Sequence, residues 1–357
     1  MQKKTVLIIS PYPKNTAASQ RFRYEQYLDL LNERFKIKQV SFYNYNLFNK
    51  LYKKKNISFY VGFFIAFFRT PLNLFILLPQ SSIVFIHREV LPLGPPILEF
   101  VISQIFKKKV IYDFDDAIWL RDSFQKENFF SKLKYRSKSK YLIKWSQKVS
   151  VGNDFLANFS KQFNPNVIVN PTTIDQSYHS PKNRNRNRNI PVIGWTGTHS
   201  TLPYLHLIES VLCKIEKENL AHFVVIANQK PELKLKQFEF INWNQKDEIE
   251  QLRTIDIGIM PLHDDDWSKG KCGFKLLQYM SLGIPAVASP VGVNSKIVKH
   301  EYNGFLAQSQ EEWYLFLKEL IKNEDLRKKF GKNGIETISK YYSKNSNKSN
   351  FLSIFSF

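Results

Sequence analysis

Cysteine is nearly absent: Cys213 and Cys272 are the only two in 357 residues. Two thiols cannot make the disulfide framework of a small secreted scaffold, and they fit a reducing cytosol. No Cys/His cluster has zinc-ligand spacing, which excludes a zinc module. Acidic residues are also short, with 31 Asp+Glu against 52 Lys+Arg and a formal net charge of +21. The basic start Met1-Gln2-Lys3-Lys4 is followed by an apolar run, Thr5 to Ser10, that is too short for a signal peptide. The run stops at Pro11 without a small-residue cleavage site, so it reads as a buried first strand. What is present is a 43% hydrophobic, 23% charged chain, long enough for two domains and able to bury a full core.

One stretch is unusually apolar. Ile57 to Phe68 and Leu72 to Leu78 are nearly free of polar residues, with Arg69 and Pro71 between them. Neither half reaches the roughly 20 residues of a spanning helix, and an Arg and a Pro near the middle would be costly in lipid. Two readings follow: a buried helix pair packed on a sheet, or a surface that dips into a membrane interface. Lys50 and the Lys53–Lys55 cluster just before it favour the second.

The positive charge is uneven. Residues 1–170 carry 27 Lys+Arg and 11 Asp+Glu, whereas residues 190–357 carry 21 and 19. Within the first half it is densest over Lys126–Lys148. Such a face suits an anionic membrane surface or nucleic acid. No helix-turn-helix, RNP-type or zinc-finger pattern accompanies it, so nucleic acid is not expected as a partner.

Short apolar runs alternate with helical patterns throughout, the signature of parallel sheets with crossover helices. Strands are expected at 5–10, 36–41, 82–87, 109–113, 147–151 and 166–169, then at 190–195, 222–227, 238–241, 255–260 and 286–289. Helices are expected near 19–31, 201–217, 246–253, 273–282, 309–321 and 324–341. Between the two sets lies Pro171 to Asn189, ending in alternating Asn and Arg without periodicity. The expected organisation is a first domain at 1–170, a linker at 171–189, a second domain at 190–340 and a tail at 341–357 that returns to the first domain. The fold class is α/β with two doubly wound domains, whose ligands would bind at the carboxyl ends of the strands.

The most specific segment is Lys271-Cys272-Gly273-Phe274-Lys275-Leu276-Leu277-Gln278-Tyr279-Met280-Ser281-Leu282-Gly283-Ile284-Pro285, running on to Ser289. A strand ends at Pro261, and a helix opens near Gly273 and closes at Gly283. The positive end of that helix beside Lys271 and Lys275 is an anion site, and a diphosphate fits it. An ordinary βαβ unit with surface lysines would read the same way if this segment stood alone.

The segment closely resembles the donor-binding motif of glycosyltransferase family 4 and the related "glycosyl transferases group 1" domain. The resemblance implies two facing Rossmann-like domains, the GT-B fold, with a cleft between them. It implies a nucleotide-diphosphate sugar as substrate, retention of anomeric configuration, and neither metal nor cofactor. Gln278 occupies the place of the family's ribose-binding Glu, and an amide can still hydrogen-bond there. The preceding acidic position falls on Gly270. Gly273, Phe274 and Lys275 sit in the loop that lies against donor sugar and phosphates. The Arg and Lys usual after the first strand of this domain are missing from Gly194-Trp195-Thr196-Gly197-Thr198-His199-Ser200. Gly197 and Thr198 remain as backbone contacts, with Ser200 or Thr201 to cap the next helix. Lys271 and Lys275 would therefore stabilise the leaving diphosphate. Trp243 is assigned to the base pocket.

In the first domain, Ser10 to Pro13 replaces a glycine-rich acceptor loop, and Arg21 at the following helix start could meet a phosphate. Asp113-Phe114-Asp115-Asp116 ends the fourth strand, an electrostatic liability unless the carboxylates bind something. Asp115 stands where many relatives have a His, so Asp115 or Asp116 would orient the acceptor hydroxyl or take its proton. A metal-binding Asp-x-Asp reading of Asp113 and Asp115 has the right spacing but runs against the GT-B resemblance. His87 or Arg88 would line the acceptor side.

The expected function is a cytoplasmic, membrane-associated transferase moving a sugar onto a glycan or lipid-linked hydroxyl in cell-surface polysaccharide or glycolipid synthesis. A GT-B sugar-nucleotide epimerase and a catalytically silent glycan- or membrane-binding protein are the alternatives.

Overall fold

Twelve strands form two parallel six-stranded sheets in the computed structural model, which describes residues 3–51, 56–122, 124, 133–181 and 190–357. The Lys53–Lys55 cluster, Lys126, Lys132 and residues 182–189 of the expected linker lie outside these. The first sheet has the order β2-β1-β3-β4-β5-β6. Its strands are β1 (Thr5–Ser10), β2 (Lys36–Ser41), β3 (Ile83–His87), β4 (Lys109–Phe114), β5 (Lys148–Val151) and β6 (Val167–Val169). The second has the order β12-β11-β10-β7-β8-β9. It is built from β7 (Val192–Gly197), β8 (His222–Ala227), β9 (Glu239–Asn242), β10 (Ile257–Met260), β11 (Ala286–Ala288) and β12 (Gly304–Leu306). Strands covered by helices on both faces must be apolar on both, which explains why β1, β3 and β10 are continuous buried runs instead of alternating ones.

Two compact units result. One comprises the chain up to Arg121, then Lys126–Thr172 and Asn347–Phe357; the other comprises Thr173–Ser346 and the segment around Phe124, which packs against Tyr204 and His263. In the first unit the short helices α1 (Ala18–Arg21) and α2 (Leu28–Arg34) follow β1. Tyr24, Tyr27 and Leu31 of this region pack on Val6, Ile8 and Phe85 of the sheet. The end of the chain completes that core: Phe351 stacks on Tyr27 at 4.2 Å, and Phe355 on Phe85 at 5.8 Å. Lys148 Nζ donates to the Ser353 carbonyl at 2.8 Å. In the second unit, residues 173–181 are packed structure. Ile174 is fully buried and bridged to Ser343, and Asp175 pairs with Lys344 at 2.8 Å.

Three local expectations are corrected. The region after β7 opens as a 3-10 helix (Leu202–Ile208) with Pro203 in its first turn, and becomes α-helical only at Glu209–Lys217. Strand β12 was not expected, because three residues beginning with glycine give no periodic signal. Residues 57–79 are not a buried helix pair. After α3 (Tyr45–Leu51) they form α4 (Ile57–Leu77), one continuous helix of 21 residues that passes through Pro71.

Candidate active site

A ligand crevice in a doubly wound sheet lies where the strand order reverses, at the carboxyl ends. In the second unit that point lies between β7 and β10, which are neighbours in the sheet. Three chain segments meet there: the loop after Gly197, the loop after Met260, and the start of the Phe274–Ser281 helix.

The helix is fixed by its own sequence. Gly273 is its N-cap with φ 67°, a left-handed conformation that glycine adopts at no steric cost, and a Cβ there would collide with Ile297. At the other end Gly283, φ 69°, donates to the Met280 carbonyl at 3.0 Å, while Ile284 donates to Tyr279 at 2.9 Å. This is the Schellman pattern that ends a helix within one turn. Tyr279 lies against Gly258 of β10 and accepts the Thr196 N–H at 3.0 Å on its hydroxyl, tying the helix to β7. Burial pushes the Tyr279 phenol well above its ordinary value, so it stays neutral.

This geometry places Lys275 with its ammonium 5.2 Å from the Trp195 ring centre. Lys271 lies 5.2 Å over Trp267 and 5.6 Å over Tyr204. Gly273, Phe274, Lys275 and Gln278 thus share one helix, with Lys271 just before it. Gln278 is only 5% exposed. Gly197 and Thr198 close the loop after β7. A Cβ at Gly197 would strike the Trp195 ring and the Thr201 hydroxyl. Thr201 makes no helix cap, contrary to expectation. Its hydroxyl donates to the Thr198 carbonyl at 3.0 Å and accepts the Thr198 N–H at 3.2 Å. Asn228, at the end of β8, accepts the His199 N–H at 2.7 Å. Trp243 follows β9, and its N–H donates to the Ala227 carbonyl at 2.9 Å, so it belongs to the same carboxyl edge.

The carboxyl edge of the first sheet is organised by a residue the sequence did not single out. Arg23 is 1% exposed and grips Asp113 with both Nε, at 3.0 Å, and Nη2. Its Nη1 donates to the Asn170 carbonyl at 2.5 Å. Ser150 Oγ donates to Asp113 at 2.7 Å, and His87 Nδ1 meets the same carboxylate at 2.8 Å. Burial alone would raise the Asp113 pKa, but Arg23, helped by His87, holds it well below the usual carboxylate range. His87 is fully buried and its Nε2 has no partner, so it does not present the open acceptor-side face expected of it.

Arg88 turns the chain after β3 in a left-handed conformation, φ 62°, and its backbone N–H donates to the Asp113 carbonyl at 2.8 Å. Its guanidinium pairs with Asp115 at 2.6 Å and Asp116 at 2.6 Å. Burial works against the Arg88 charge, yet those two carboxylates outweigh it and fix the guanidinium as protonated. Three crowded carboxylates are thus relieved by two arginines. The Asp-x-Asp reading fails because Asp113 and Asp115 are committed to different partners. Among the described residues, no group of three or more His, Cys, Asp or Glu is gathered as for a metal ion. Asp115 and Asp116, expected to orient the acceptor hydroxyl or take its proton, are thus both engaged by Arg88. Arg21, at the end of α1, lies with its guanidinium 4.9 Å over the Phe22 ring.

Two doubly wound parallel sheets in succession, the second bearing a cationic helix start at its reversal point, are the architecture of the GT-B fold. The comparisons carry the assignment further. Residues 218–337 match the family described as "Glycosyl transferases group 1". Sucrose-phosphate synthase from Thermosynechococcus elongatus is similar in fold, with a TM-score of 0.73 at 10% identity over 99% of this chain and 98% of that one. Anabaena HepE in complex with UDP-glucose gives 0.68 at 13% identity, over 99% of this chain and 100% of the other. A glycosyltransferase from Rickettsia africae gives 0.65 at 13%, over 99% of each. A search of curated proteins found no match. Residues 218–337 are thus similar to the group 1 glycosyltransferases, and the chain as a whole shares the GT-B fold of the structures it matches.

Proposed function

We propose that the protein transfers a sugar from a nucleotide-diphosphate donor to a hydroxyl of a glycan or lipid-linked acceptor, with retention, in the cytoplasm at a membrane surface. The observation that carries the donor half is the pair Lys271 and Lys275 at the opening of the Phe274–Ser281 helix, where β7 and β10 diverge. In the reaction the bond from the anomeric carbon to the diphosphate breaks and the acceptor oxygen takes its place. Negative charge therefore grows on the leaving diphosphate. Two ammonium groups and the positive end of a helix aimed at that position stabilise it more in the transition state than in the ground state. The role a divalent ion plays elsewhere falls to these lysines. Gln278 binds the donor ribose, Gly197 and Thr198 approach the phosphates, and Trp243 flanks the base. Retention and the choice of acceptor rest on the family resemblance and on the basic, apolar first unit. HepE, similar in fold, is known bound to UDP and to UDP-glucose, which supports a nucleotide sugar as donor.

Thermal unfolding of the purified chain with UDP, GDP, ADP, TDP and CMP, repeated with Lys275→Ala, tests the reading. A ligand at 100 times its Kd adds about 2.7 kcal/mol of stability. One diphosphate should raise the midpoint in the parent and not in the variant. No shift with any nucleotide would overturn the donor assignment.

A further inference from the structure

A helix on the surface of a soluble protein turns its charges outward and its apolar stripe inward. Helix α4 does the reverse. Ile57, Val61, Phe64, Phe68, Leu72 and Ile76 follow one another at three- and four-residue steps, and each is between 54% and 82% exposed. The opposite face, with Phe59, Ala66, Thr70 and Leu74, is buried against the first unit. The helix contains one charged residue, Arg69, and that side chain points inward: its Nη2 donates to the carbonyls of Ser41 at 3.1 Å and Phe42 at 2.8 Å. The outward stripe therefore carries no charge.

The apolar surface does not end with α4. Phe75 meets Phe106 at 6.2 Å, and beside it Ile97, Phe100 and Ile105 of the 97–105 helix are exposed. Phe100 packs edge-on to Trp145 at 5.4 Å. Together these side chains expose on the order of 1,000 Å² of apolar surface, above the few hundred Å² usual for a soluble monomer. Its surroundings are one-sided in charge. From residue 35 to residue 112 there are eleven Lys+Arg and two carboxyl side chains. Of those two, Glu99 is buried and Glu89 is paired with Lys138 at 2.9 Å. Lys107 and Lys144 are exposed.

We propose that α4 and the adjoining 97–105 helix form a monotopic docking face for an anionic bilayer. The stripe sinks into the acyl boundary and the lysines meet lipid phosphates. At 1.5 Å per residue α4 is about 31 Å long, enough to cross a bilayer. Its inner face is buried at Phe59, Ala66, Thr70 and Leu74, however, so lipid cannot surround it and it lies in the interfacial plane. This deepens the membrane-surface part of the proposed function and rests on it, while being independent of the donor site.

The test is sedimentation of the full chain with vesicles of phosphatidylcholine alone or with 30% phosphatidylglycerol, about the anionic content at which a basic apolar face binds strongly. The parent should sediment with the anionic vesicles and be released by alkaline carbonate. Phe64→Gln, Phe68→Gln and Leu72→Gln combined should weaken binding at least tenfold. These positions are exposed, so the thermal midpoint and its nucleotide-induced shift should not move. Lys107→Glu with Lys144→Glu should lower binding to the anionic vesicles and leave the weaker binding to phosphatidylcholine unchanged. Three results overturn the proposal: equal sedimentation of parent and triple variant, resistance to carbonate, or a parent dimer that the triple variant dissolves without any vesicle binding. Vesicle binding without nucleotide stabilisation would sink the donor reading instead, so the two failures are distinguishable.

Discussion

At the carboxyl edge of the first sheet, Asp113 is closed off by Arg23, and Asp115 and Asp116 by Arg88. At the same edge of the second sheet, the cations Lys271 and Lys275 lie over the rings of Trp267, Tyr204 and Trp195. A buried guanidinium–carboxylate fork is geometrically rigid, and each partner holds the other in place. An ammonium over an aromatic face is a weaker and less directional contact than that fork. One topology thus yields one edge bound by guanidinium–carboxylate pairs and another that sets ammonium groups over aromatic rings.

The sharpest way to break this comparison is Arg23→Met. It leaves Asp113 buried with an uncompensated charge, and breaking a buried pair costs about 3–5 kcal/mol. Urea unfolding should show a loss of that size, and adding Asp113→Leu should restore most of it. A loss below about 1 kcal/mol would mean that the network does not hold the edge together. The acid response follows from the depressed Asp113 pKa. Stability from the ionised carboxylate is fully present above the unfolded value near 3.9. It is lost as pH falls through the lower folded value. On the other edge Lys275→Met should leave stability within about 0.5 kcal/mol, as surface changes do. It should lower kcat about 10²-fold, comparable to removing one donor to a developing anion. If Lys275→Met unfolds the protein and Arg23→Met does not, the contrast between the edges is reversed.

The strands and the second-unit motif were legible because their signals are local. Buried parallel strands read as apolar runs, and the Gly273 to Gly283 segment spells out its own helix and both ends. The Arg23 network was not. Arg23 and Asp113 are ninety positions apart and meet only once the sheet order brings β3, β4 and β5 together, so no spacing links them. Arg21 and Arg23 bracket the same turn, and periodicity did not say which faces the sheet; the buried one is Arg23. Helix α4 was cut in two because Arg69 and Pro71 look like breakers in an apolar run. In the structure Arg69 finds backbone carbonyls after β2, and Thr70 Oγ1 donates to the Ala66 carbonyl at 2.8 Å. A tertiary partner for the arginine removes the objection to continuity.

A smaller effect separates buried charge that is matched from buried charge that is not. Glu99 is 4% exposed, and burial pushes its carboxyl up to about 6, against hydrogen bonds from its own backbone N–H and from the Val90 N–H, at 3.1 Å, and the charge of Lys138. A carboxyl whose folded pKa lies above its unfolded value destabilises the protein once it is ionised. Stability should therefore fall as pH rises through the window between the two values and stay lower above it. Glu99→Gln keeps an acceptor for Val90 and removes the charge. At pH 8 it should stabilise by about 2 kcal/mol, and at pH 4 by almost nothing. A pH-independent difference between parent and variant would refute this account.

The smallest expected effect is the most discriminating for the second edge. A side chain that serves only a ligand gives the empty protein nothing that an apolar side chain of the same size would not. If Gln278 serves a donor hydroxyl, its hydrogen bond to the ligand is made in the bound protein alone. Gln278→Leu, similar in size and apolar, should leave the unliganded protein as stable as the parent or more so by up to about 1 kcal/mol. The same change should weaken nucleotide binding by about five- to tenfold, roughly 1 kcal/mol. A residue serving only the fold would lose stability when replaced and leave nucleotide affinity alone. Urea unfolding of the empty protein and a nucleotide titration of the folded one therefore give opposite signs for the two roles. Stability loss with unchanged affinity would remove Gln278 from the donor site.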